Sequence, residues 1–95
     1  MPIIIGMFFD SIENHLGAGL RRARRDRYPA DTQARFAARI GLSRATYQKM
    51  EQGDPSVAIG AYFAAAALLG TGDRFASVFD PATAAPDLLA GIEQP

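Results

Sequence analysis

Between Thr32 and Gly53 the chain carries two short helical patterns joined at one glycine, and this pairing restricts its fold more than any other feature. Thr32 has the hydroxyl of an N-cap, Phe36, Ala37 and Ile40 fall on one inward face, and Gly41 suits the left-handed position that closes a helix. A tight turn follows. Ser43 then caps a further helix over Arg44 to Glu51. At roughly 100° per residue, Thr46, Tyr47 and Met50 take one side of that helix. Arg44, Ala45, Gln48 and Lys49 take the other, which is polar and basic.

The flanking segments extend the helical reading. A first helix is expected to start at Asp10 or Ser11, with Glu13 completing a capping box, to carry Ile12, Leu16, Leu20 and Ala23 on one face, and to end at Tyr28-Pro29. After the turn Gly53-Asp54-Pro55-Ser56, a fourth helix runs through Tyr62, Phe63, Ala66 and Leu69 and stops at Gly70-Thr71-Gly72. Asp73 to Phe79 supplies a short fifth, ended by Asp80-Pro81. The apolar spacing of Phe36, Tyr47, Tyr62 and Phe63 assigns them to the core rather than to base stacking. Gly17-Ala18-Gly19 lacks the preceding strand and the complete fingerprint of a nucleotide-binding loop, and reads as close helix packing. Three regions result: an apolar arm or strand at 1–9, a domain at 10–81, and a tail at 82–95 with Leu88, Leu89 and Ile92 as a weak helical patch.

Composition narrows the possible functions. Ninety-five residues make one small domain, and no apolar run approaches the ~20 needed to span a bilayer. Without cysteine there is no disulfide framework and no thiolate zinc site, so neither a metal nor a cofactor is expected. The single His15 has no neighbouring nucleophile signature, and Asp10 and Glu13 read as helix caps, so enzyme activity is not expected. The N-terminal stretch lacks the basic region of a secretory signal, which points to a cytoplasmic, nucleoid-associated protein.

The net charge of zero conceals a separation of sign. Residues 1–50 hold nine Lys or Arg against four Asp or Glu, and residues 51–95 hold one against six, which gives +5 and −5. The first half therefore has a field suited to a polyanion. Five arginines fall within the seven residues 21–27, where they either bind a phosphate backbone or solvate the first helix.

The stretch from Thr32-Gln33-Ala34-Arg35-Phe36-Ala37 through Gly41 to Glu51-Gln52-Gly53 resembles a helix-turn-helix of the Cro/repressor (XRE) type. Gln33 opens the second helix, Ala37 is the small residue where the helices approach, Gly41 makes the turn, and Phe36, Ile40, Leu42, Tyr47 and Met50 supply the apolar positions. The resemblance covers about residues 16–69. It implies an all-α, lambda-repressor-like five-helix domain that places one helix in the major groove of double-stranded DNA. It further implies a partly buried ion pair between Arg24 and Glu51, base contacts from Arg44, Ala45, Gln48 and Lys49, and backbone contacts from Thr32, Gln33, Ser43 and Thr46, with Arg22 drawn from the arginine run. Arg44 suits guanine O6 and N7, Gln48 adenine N6 and N7, and Ala45 a thymine methyl; Lys49 could reach guanine or a phosphate. The alternative is a polar face that only meets solvent, and the helix-turn-helix pattern outweighs it. Asp54 departs from many repressors, which place a basic residue near that point.

One recognition helix reads few base pairs, so a palindromic operator bound by a homodimer and acting on the protein's own operon is expected. Phe75, Val78, Phe79 and the apolar N-terminus are the dimer candidates. Residues Glu51 to Gly60, with Leu68-Leu69-Gly70 and Asp73-Arg74-Phe75, are also similar to DNA-binding antitoxins paired with HipA-type kinase toxins. That likeness implies an alternative, a module that neutralises a kinase-toxin partner. RNA is disfavoured because the A-form major groove is too narrow for a helix.

Overall fold

The computed structural model describes residues 3–81, with side chains from Gly6 onward except that of Phe9. Its helices are α1 (Ile3–Arg27), α2 (Gln33–Arg39), α3 (Arg44–Glu51), α4 (Ile59–Leu69) and α5 (Gly72–Ala76). The fold is all-α, as expected. Helix α2 packs on α3, α1 crosses both α3 and α4, and α5 folds back on α4.

The helix-turn-helix segment follows its local chemistry. The Thr32 hydroxyl accepts from the Arg35 N–H at 3.2 Å and the Ser43 hydroxyl from the Thr46 N–H at 3.1 Å, so each helix begins on a side-chain cap. Between them Gly41 takes φ of 71°, a conformation glycine adopts without the penalty a Cβ brings. The Leu42 N–H donates back to the Ala37 carbonyl at 2.9 Å. Phe36, Ala37, Tyr47 and Met50 are fully buried and join Tyr62, Ala65 and Leu69 in the core. The Tyr28, Phe36 and Tyr47 rings run through it in series, with centroid separations of 5.6 and 5.0 Å.

Helix α1 departs from the sequence reading. Residues 3–9 continue it, so there is no separate strand over those residues and the helix does not start at Asp10 or Ser11. Asp10 and Glu13 lie inside α1, where no orphan N–H needs a capping box. The physical reason is propagation: a nucleated helix gains one hydrogen bond for each added residue, and Gly6 alone costs only ~1 kcal/mol. Ile12 and Leu16 are exposed at 66% and 37%, and only Leu20 and Ala23 of the expected inward face pack on the core. The faces of α1 turn at Gly17, where an added Cβ would sit 2.5 Å from the Glu51 carbonyl oxygen. Gly53, at φ of 74°, meets the Glu13 backbone in the same crossing, whereas Gly19 has open space beside it. Close packing thus applies to Gly17 and not to Gly19.

Two aromatic assignments also change. Phe63 is 47% exposed and stacks edge-on against Phe75 at 5.4 Å instead of entering the core. Helix α5 ends at Ala76 rather than Phe79, and the Ser77 hydroxyl bonds back to the Asp73 and Arg74 carbonyls as the last turn unwinds. The expected tail at 82–95 lies outside the described residues.

Candidate nucleic-acid interface

Helix α3 is fixed on one side and open on the other. Tyr47 and Met50 are fully buried, while Arg44, Ala45, Gln48 and Lys49 are all exposed on the outer face. A helix whose inner side chains are immobilised presents its outer ones at a set angle, as base readout requires.

The anchor beneath α3 is a buried ionic network. Arg24 Nε donates to Glu51 Oε2 at 2.7 Å and Nη2 to Oε1 at 3.3 Å, a two-point contact between side chains only 9% and 4% exposed. Arg24 also reaches the Asp31 carbonyl at 3.0 Å, tying the loop after α1 to the same point. Burial pushes the Glu51 pKa up, but hydrogen bonds led by Arg24 outweigh it and hold the carboxyl below its ordinary value. The same Arg24 bond to Glu51 raises the arginine. The Tyr47 hydroxyl is buried beside this carboxylate without a hydrogen bond of normal geometry, and burial followed by Glu51 drives its pKa upward.

The expected backbone-contacting residues lie along the starts of α2 and α3. The Gln33 Nε2 donates one hydrogen to Glu51 at 3.0 Å, which orients the carboxamide and leaves its second N–H as a donor. Thr32 uses its oxygen to cap α2 and retains its O–H. Ser43 donates to the Thr46 hydroxyl at 3.0 Å, so Ser43 spends its own proton within the cap while Thr46 keeps one. A phosphate here would therefore meet donors from Thr32, Gln33 and Thr46, with the unpaired first N–H groups of α3 beside them.

The arginine run separates by role. Arg24 is buried on Glu51, and Arg27 donates to the Leu69 carbonyl at 3.2 Å, crossing from α1 to the end of α4. Arg21 and Arg25 line a depression with Gln33, Gln48, Glu51 and Gln52, between α1 and α3. Arg22 lines an adjoining depression with Asn14, Ala18 and Asp26, one that Arg21, Arg25, Glu51 and Gln52 border as well. Sequence reasoning treated the arginine run as a whole, naming Arg22 from it, and did not separate Arg21 and Arg25 from Arg22 or consider Gln52. The missing signal was phase: Arg21 and Arg25 are one helical turn apart, and fixing Arg24 inward places both beside α3.

Arg39 forms a 2.6 Å ion pair with Asp31 and lies 4.6 Å above the Tyr28 ring. The Arg39 hydrogen bond holds the Asp31 carboxyl below its ordinary pKa. Asp54, the departure from many repressors, accepts from the Ser56 N–H and hydroxyl at 2.8 and 2.6 Å and shapes the turn before α4.

A helix-turn-helix domain family matches residues 15–75, nearly two thirds of the chain. The chain belongs to the helix-turn-helix family of the Cro/repressor type. No curated protein and no solved structure matches it. The helix-turn-helix assignment makes the protein a DNA-binding regulator in outline. No helix among the described residues is long and apolar enough to cross a membrane.

Proposed function

We propose that the protein is a sequence-specific transcriptional regulator that binds a palindromic operator as a homodimer and represses its own gene. The observation that carries this reading is the outer face of α3, where Arg44, Ala45, Gln48 and Lys49 stand exposed on a helix locked from behind. Arg44 and Gln48 are one turn apart and carry the side chains that pair bidentately with guanine and adenine in the major groove. Support for a dimer comes from apolar surface: Ile12, Val78 and Phe79 are 66%, 64% and 96% exposed, and Val78 borders a groove between α1, α4 and α5 that Leu16, Leu20 and Phe75 also line.

Selection from a randomised duplex pool tests the reading. A two-fold symmetric consensus should emerge, and Arg44→Ala should relax the preference at one position of each half-site, at a cost of ~1–3 kcal/mol. An Arg44→Ala protein with unchanged preference would overturn the docking of α3. Sedimentation at binding concentrations tests the dimer, and a strict monomer with full specific affinity would exclude it.

A further inference from the structure

The depression between α1 and α3 encloses about 350 Å³, is rimmed by Arg21, Arg25, Gln48 and Gln52, and has the Arg24–Glu51 pair and Gln33 at its base. Three arginines face one carboxylate there, and that carboxylate is already neutralised by Arg24 at 2.7 Å. Arg21 and Arg25 take part in neither of the two ion pairs found among the described residues, and both are exposed. The surplus charge thus points outward, next to Gln48 on the recognition face.

The geometry points to Arg21 and Arg25 as a backbone clamp for duplex DNA, a phosphate site supplied by α1 and separate from the N-termini of α2 and α3. It rests on the DNA-binding reading and adds to it. A four-residue step raises the side chains by ~6 Å along the helix axis, so the two guanidiniums reach different phosphates of one strand instead of competing for one. Arginine suits the task because its planar fork matches phosphate oxygens bidentately and keeps its charge at any working pH. Glu51 does not repel the strand, since Arg24 and Gln33 occupy its oxygens. The clamp also fixes register: once α1 holds a strand, Gln48 is set at a defined height over the bases.

The test is a salt series on the full chain with its selected duplex. Each lost phosphate contact lowers the slope of log K against log salt by about 0.9, so Arg21→Gln with Arg25→Gln should lower it by about 1.8 with the order of preferred sequences unchanged. The double lysine variant, Arg21→Lys with Arg25→Lys, should restore most of the slope because lysine also displaces counterions. An unaltered slope in the double glutamine variant would overturn the clamp while the DNA-binding reading stood. Failure of the unaltered protein to bind duplex would instead overturn that reading, and the clamp with it.

Discussion

Helices α2 and α3 and helices α4 and α5 are both short pairs closed by a left-handed glycine, yet they are held in different ways. The first pair begins on hydroxyl caps at Thr32 and Ser43, and its outer surface is polar. Helices α4 and α5 follow Ala58 and Thr71, neither of which makes a side-chain cap bond. Ile59 and Phe63 on α4, and Val78 and Phe79 just after α5, are left exposed. The first pair is specified by local chemistry and one buried ionic anchor; the second depends on what it packs against.

The largest expected effect lies at the anchor. Arg24→Ala would leave the Glu51 carboxylate buried and unpaired, and should cost about 3 kcal/mol in urea unfolding. Arg74→Ala, in α5, should change stability by no more than ~0.5 kcal/mol. Equal costs would erase the distinction between the two regions.

Glycines sharpen it next. Gly53→Ala combines a positive φ with a Cβ placed against the Glu13 backbone, and should cost ~2 kcal/mol or more. Gly19→Ala has open space around it within the helix and should gain up to ~1 kcal/mol. Thermal melts of the two variants should move in opposite directions, and a shared direction would contradict the crossing of α1 over α3.

Acid acts on the same anchor. The Glu51 and Asp31 pKa values are both lowered by folding, so the folded state binds their protons less readily than the unfolded chain does. The stability they supply is complete above the unfolded carboxyl values, near pH 4, and is lost as pH falls through the folded ones. The melting temperature should drop over that range. Arg24→Ala should shrink the Glu51 share, because burial raises that pKa and the largest opposing hydrogen bond would be gone while that of Gln33 remained. A melting temperature flat from about pH 5 to 2 would show that neither carboxylate is coupled to folding.

The smallest effect on folding is expected at Phe79. Phe79→Ser removes a 96% exposed ring, so folding stability should stay within ~0.5 kcal/mol while the sedimentation of a dimer shifts toward monomer. Loss of folding stability without loss of dimer would move Phe79 into the core.

The parts legible in the sequence were those coded within a few residues. Thr32, Gly41 and Ser43 placed α2, the turn and α3, and the bounds Arg44–Glu51 follow from caps and spacing alone. What escaped depended on partners distant in sequence. Ile3-Ile4-Ile5 favours a strand by residue type, yet the stretch simply extends α1. Phe63 has the spacing of a core residue, and only the position of α5 leaves it half outside. The sorting of the arginines, with Arg24 inward and Arg21 and Arg25 beside Gln48, required the crossing of α1 over α3 to be seen. The Asp31–Arg39 pair, between the loop before α2 and the end of that helix, likewise depends on the path of the loop and not on local residue type.

The central claim is that α3 reads sequence while arginines bind the backbone. Fluorescence anisotropy on the duplex upstream of the protein's own gene, against a scrambled duplex of equal length and across a salt series, tests it most directly. The account predicts tighter binding to the native sequence, with log K falling steeply as log salt rises. Equal and weak binding to both duplexes would contradict it.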